Sequence, residues 1–150
     1  MPIPLLDKRG LLPEGIHDAT VDEIRSRFAI SEYRQLLFAD FLTFIHQEID
    51  SKEPVIYMAG SFLSDKLLPN DIELTVSLDV LAIQTPTGLK LIKIAENHDL
   101  IKEKYRIDFY VSFGIPGCSD FRQFFQYVGD KTAQAKGLNA KDKRGIIKII

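Results

Sequence analysis

The sequence predicts a single mixed domain of the α/β (α+β) class, a short mixed sheet flanked by helices. Three observations predict it. Four short apolar or alternating runs, at 55–59, 72–76, 106–111 and 145–150, have strand character. Segments with three- and four-residue apolar spacing lie on both sides of the first three runs. A length of 150 residues suits one core and falls short of two ordinary ones, so the domain is taken as 1–150.

The elements are expected in the following order. Residues 1–19 carry Pro2, Pro4, Gly10, Pro13 and Gly15 and read as an extended N-terminal arm or loop. Thr20-Val21-Asp22-Glu23 is a capping box that opens a short helix ending near Phe28. Ser31 opens a longer helix whose stripe is Leu36, Leu37, Phe41, Phe44, Ile45 and Ile49, and Pro54 closes that region. Val55–Ala59 is a buried strand running straight into Gly60-Ser61, and 61–66 form a short helix or turn. After a turn at Pro69-Asn70, Ile72, Leu74 and Val76 face one side of a strand while Asp71, Glu73 and Thr75 face the other. Between Ser77 and Asn97 the only clear signal is a turn at Pro86-Thr87-Gly88. Residues 97–105 read as helix, and 106–111 as a strand with Asp108 on its polar side. A helix from Ser119 to about Lys136 is expected to turn Phe121, Phe124, Phe125 and Val128 inward, and 145–150 is a closing strand.

Composition narrows the function. Hydrophobic residues make up 45% and charged residues 27%, the profile of a soluble globular chain. No apolar run approaches the roughly 20 residues of a membrane span, and MPIPLLDKRG has no signal-peptide pattern, so a cytoplasmic protein without a membrane partner is expected. A lone Cys118 allows no internal disulfide and reads as an inert thiol. With 19 basic and 21 acidic residues, the net charge of −2 gives no global pull on nucleic acid. The basic stretch Lys131, Lys136, Lys141, Lys143, Arg144 and Lys148 is either a phosphate- or RNA-facing patch or a solvated surface.

One constellation carries chemistry. A strand ends in Gly60-Ser61, nine residues follow, and then come Asp71-Ile72-Glu73-Leu74 and, on another strand, Asp108. Glycine permits close approach of the backbone to a phosphate. A serine hydroxyl and free amides at a helix start bind phosphate oxygens. Acids at i and i+2 of a strand point the same way, and a neighbouring strand can add a third carboxylate, an all-oxygen set suited to Mg2+. Two metals roughly 3.5–4 Å apart stabilise the attacking and leaving oxygens of an in-line displacement. Lys66 and Ser64 follow the Gly-Ser turn closely enough to touch a nucleotide, or else form only surface and turn. His17 could reach the site or be satisfied by backbone, His46 and His98 show no ligand spacing, and Tyr57 and Tyr110 could stack on a base or simply pack.

This arrangement resembles the polymerase-beta-type nucleotidyltransferase superfamily, whose pattern is apolar-Gly-Gly/Ser, a spacer, then Asp-apolar-Asp/Glu-apolar. Asp108 in Ile107-Asp108-Phe109 matches the third acid of that pattern, and Glu73 stands where many relatives have Asp. More narrowly the chain looks like a small one-domain prokaryotic or phage group, on Leu12-Pro13-Glu14-Gly15-Ile16-His17, Gly60-Ser61-Phe62, Pro69-Asn70-Asp71-Ile72-Glu73 and Lys143-Arg144-Gly145-Ile146-Ile147. The resemblance spans nearly the whole chain and implies the minimal nucleotidyltransferase fold. It also implies transfer of a nucleoside monophosphate from a nucleoside triphosphate, ATP favoured, to a protein, tRNA or small-molecule hydroxyl. Asp71, Glu73 and Asp108 would then bind two Mg2+ ions, Gly60 and Ser61 the phosphates, and a toxin–antitoxin or phage-defence setting would be expected. The alternative is a catalytically weak binding module on the same fold, an antitoxin-like partner or nucleotide sensor.

Overall fold

A computed structural model describes residues 3–150; Pro2, assigned above to the arm, lies outside the described residues. Five strands form one mixed sheet in the order β1-β5-β2-β3-β4, with β1 at Gly15–Ala19, β2 at Ile56–Ala59, β3 at Ile72–Leu78, β4 at Ile107–Phe113 and β5 at Gly145–Ile149. The β1–β5 and β3–β4 pairs are parallel, whereas β2 runs antiparallel to both of its neighbours. The β3–β4 crossover is built from α3 (Val80–Ile83), α4 (Pro86–Glu96) and α5 (His98–Tyr105), as a parallel pair requires.

The two faces of the sheet bury different things. Ile56, Met58, Ile72, Leu74, Val76, Ile107, Phe109 and Ile147 join helices α1 (Val21–Phe28), α2 (Glu32–Phe44), α4 and α5 in the main core. The opposite face carries Tyr57, Ala59, Ile146 and Tyr110, covered by Phe121 and Phe125. Glu73, Thr75, Asp108 and Ser112 alternate out of the main core onto this second face.

Local chemistry accounts for most element boundaries. Thr20 accepts from the Glu23 amide while Glu23 accepts from the Thr20 amide, so the capping box at α1 is as read from the sequence. Ser31 caps α2, whose last turn widens at Ile45–Ile49 before Asp50 reverses the chain at φ +44°. Within α2, Leu37, Phe38, Phe41 and Phe44 are buried, whereas Leu36, assigned above to the stripe, is exposed.

Three expectations are corrected. Residues 15–19 are an edge strand, not arm, because β5 offers them a parallel partner that no local pattern announces; the rest of the arm is anchored by buried Ile3, Leu11 and Leu12. Pro86-Thr87-Gly88 begins α4: Thr85 caps the Gly88 amide at 3.0 Å, and Pro86 sits at the first position, where its missing N–H costs nothing. The expected long helix at 119–136 is two short ones, α6 (Phe121–Phe124) and α7 (Asp130–Lys136), separated where Tyr127 bridges to Lys143 and Gly129 takes φ +81°. Consequently Phe124 is exposed instead of facing inward.

Arg34 is the clamp that positions the loop after β2. Although only 3% exposed, it donates to the carbonyls of Phe28 (3.1 Å), Phe62 (2.7 Å), Ser64 (2.8 Å) and Lys66 (2.6 Å). Its guanidinium also lies over the Phe62 ring at 5.1 Å. Buried carbonyls left without donors are costly, so Arg34→Met should destabilise the fold by about 3 kcal/mol in urea unfolding. A loss under about 0.5 kcal/mol, the range of an ordinary surface substitution, would contradict this role.

Candidate active site

The sheet register brings the acids together. Glu73 is the direct partner of Asp108 across the parallel β3–β4 pair. Asp71 comes just before β3, held by the Ile72 amide donating to Arg106 O at 3.0 Å. Carboxylate oxygens of Asp71, Glu73 and Asp108 lie within 4.8 Å of one another, at the starting ends of both strands.

Gly60 is what lets Glu73 sit there. Its φ is +88°, and a Cβ at this position would come within 2.9 Å of Glu73 Cδ and 3.0 Å of Oε2. Its carbonyl accepts from Arg144 Nη2 at 2.9 Å. Ser61 starts a single 3-10 turn (Ser61–Leu63) at the same edge. The acids, Gly60, Ser61, Lys66, Lys102 and Arg144 all line one cleft of about 910 Å³, together with residues 124–125, 127–132, Ala140 and Lys141.

Like charges at this spacing reshape the site's acidity. Burial, then the neighbouring charges of Asp71 and Asp108, push Glu73 up to about 7. Burial and Asp108 also raise Asp71. The Lys102 ammonium contacts two of the trio, 3.4 Å from Asp71 Oδ2 and 3.2 Å from Asp108 Oδ1. Burial works against that ammonium, but the hydrogen bond and charge of Asp108, with Asp71, raise its pKa on balance. Burial pushes Arg144 down, and the Glu73 charge partly offsets it.

Lys102 was not singled out by sequence reasoning, and His98 was named there only as lacking ligand spacing. They stand four residues apart on α5, on the face leading into β4, and that i,i+4 spacing ahead of a strand acid is the signal that could have found them. His98 Nε2 lies 3.0 Å from Asp108 Oδ1, and both atoms are buried without an aligned hydrogen bond. The His98 ring packs on Tyr110 at 5.2 Å, and Tyr110 stacks on Phe121 at 4.8 Å.

Other candidates from the sequence fall elsewhere. Ser64 does not line the cleft: its hydroxyl donates to Ser61 O at 2.6 Å and accepts from the Lys66 amide at 3.1 Å, so it builds the turn. His17 contacts Pro13 O at 2.8 Å, and Tyr57 and Tyr110 pack in the second core. Of the C-terminal basic stretch, Lys131, Lys141 and Arg144 face the cleft. Lys136 instead pairs with Asp65 at 2.7 Å, and Lys143 lies over the Tyr127 ring at 3.9 Å.

Residues 4–150 match the family described as "Family of unknown function (DUF6932)". The chain belongs to this family. No curated protein and no solved structure matches it. Among the described residues, no helix is long and apolar enough to cross a membrane.

The donor set fits a hard divalent cation. It offers three carboxylates within mutual reach, and Asp108 Oδ1 is a buried acceptor still lacking an aligned donor. Bringing the acids together also has a measurable consequence without metal. The folded-state pKa of Glu73 exceeds its ordinary 4.5, so the native state binds more protons than the unfolded chain between about 4.5 and 7. Stability must therefore fall as pH rises through that window, by on the order of 3 kcal/mol at most. Glu73→Gln should remove this loss, melting above wild type at pH 8 but not at pH 5. Wild-type stability that is flat or rising from pH 5 to 7.5 would contradict the assignment.

Proposed function

We propose that this protein is a metal-dependent nucleotidyltransferase that moves a nucleoside monophosphate from a nucleoside triphosphate to an acceptor hydroxyl. The observation that supports it best is the convergence of Asp71, Glu73 and Asp108 in one cleft with the Gly60-Ser61 turn. Mg2+ is the expected ion, ATP the favoured donor, and a protein, tRNA or small-molecule hydroxyl the acceptor; a toxin–antitoxin or phage-defence setting remains the expectation from the sequence resemblance.

In this reading Asp71, Glu73 and Asp108 would hold the metal. When bound, it would neutralise phosphate charge and polarise the oxygens of the displacement. Ser61 orients the β- and γ-phosphates through its hydroxyl and amide. Lys66, on the same wall, adds positive charge to the phosphate tail. The acceptor oxygen forms a bond to the α-phosphorus as the bond to the bridging β-oxygen breaks, and pyrophosphate leaves. Asp108 takes the acceptor proton. Arg144 acts through Gly60, fixing the turn from behind. Most of the acceleration would come from positioning and fixed charge, as in phosphoryl transfer generally.

A second reading rests on Lys102. Its ammonium contacts two of the three acids, where a cation would sit, which favours a binding module with an internal counter-ion. The two readings separate in one experiment. Thermal melting with each nucleoside triphosphate, with and without Mg2+, should show a metal-dependent rise for one of them, roughly 2.7 kcal/mol at 100 times its dissociation constant. Asp71→Asn should abolish that rise and slow transfer from an α-labelled nucleotide at least about a hundredfold. No shift with any nucleotide, or transfer undiminished in Asp71→Asn, would rule the enzyme reading out.

A further inference from the structure

The cleft has a wall that phosphate transfer alone does not use. Besides the acids, the cleft is lined by Phe124, Phe125, Tyr127 and Val128, together with Lys131 and Lys141. Phe125 is packed, but Phe124 is 65% exposed and Tyr127 41%. Large aromatic rings presented to solvent inside a concave site are unusual unless something covers them.

The local fold explains why these two rings face outward. In the four-residue helix α6, Phe121 turns in to stack on Tyr110, and Phe125 packs against both at 5.9 and 5.6 Å. Phe124 meets Phe121 and Phe125 only edge-on, at interplanar angles of 84° and 67°. The Tyr127 backbone is fixed by its bridge to Lys143, whose ammonium lies over the ring at 3.9 Å. The shelf is therefore held by its neighbours.

We propose that Phe124 and Tyr127 form a stacking shelf for a nucleobase. The inference rests on the nucleotide-transfer reading and adds to it the chemistry of the group bound away from the phosphates. Charge complementarity supports this occupant. Lys66, Lys131 and Lys141 line the same cleft as the rings and suit a polyphosphate. The acids line the same cleft, where a bound cation would meet that polyphosphate. Base–aromatic stacking tolerates any base, so the shelf selects for a nucleotide without selecting its sequence.

The chain has no tryptophan, so Phe124→Trp places a single reporter on the shelf. Its emission should be quenched by ATP with Mg2+ and not by inorganic triphosphate with Mg2+. A trinucleotide of adenylate gives a second arm: quenching by ATP assigns the shelf to the donor, and quenching by the oligonucleotide alone assigns it to the end of an RNA acceptor. Calorimetry on wild type, Phe124→Ala and Tyr127→Ala should show each substitution weakening binding of the quenching ligand roughly 5- to 150-fold. Triphosphate affinity should be unchanged, and because both side chains are exposed the variants should keep the wild-type melting temperature. If triphosphate binds with Mg2+ but neither base-bearing ligand quenches the reporter, the shelf is overturned while the phosphate site stands. If nothing binds, the transfer reading fails and the shelf with it.

Discussion

Three carboxylates within 4.8 Å of one another form the constraint around which the rest of this structure is arranged. Without a cation such a cluster opposes folding, because burial and mutual repulsion both disfavour its charged form. Glu73 carries much of that conflict, its carboxyl pushed up to about 7. Lys102 relieves part of it from α5, and Arg144 contributes at longer range from the start of β5. A protein that keeps such a cluster together gains from whatever cation binds there, since binding to the folded state alone adds stability.

The scaffold answers this constraint at several levels. The parallel β3–β4 pair sets Glu73 beside Asp108, and the crossover it requires delivers α5 with His98 and Lys102 to the same edge. Gly60 leaves the space that Glu73 fills, and Arg34 gathers three carbonyls of the following loop so that the turn holds its shape. The interior position of β5, between β1 and β2, brings Arg144 to the Gly60 carbonyl. Glycine and arginine here act through neighbouring groups and not as isolated ligands.

Much of this was legible in the sequence, for reasons that differ by element. Alternation in Ile72–Val76 and 107–111 revealed both acidic strands because each has one face in an apolar core and one in a polar cleft. The box at Thr20 and Glu23 was legible because capping is a local interaction. Strand β1 was not, since Gly15-Ile16-His17-Asp18-Ala19 has no consistent alternation and exists as a strand through its pairing with β5. The break between α6 and α7 depends on the Tyr127–Lys143 bridge, and only Gly129 hinted at it. Proline and glycine at 86 and 88 suggest a turn as readily as a capped helix start; Thr85 decides between them. In the site, the acids and Gly60 could be read from spacing. Lys102, His98 and the outward Phe124 emerge only once α5 and α6 are placed against the sheet.

The most direct test of the account is anomalous diffraction from crystals soaked with Mn2+ and a non-hydrolysable nucleoside triphosphate. A strong peak bonded to oxygens of Asp71, Glu73 and Asp108 is expected, with Lys102 moved away from Asp71 and the phosphates beside Ser61. No peak at these acids, with the Lys102 ammonium still between Asp71 and Asp108, would contradict the claim that the cluster exists to hold a metal.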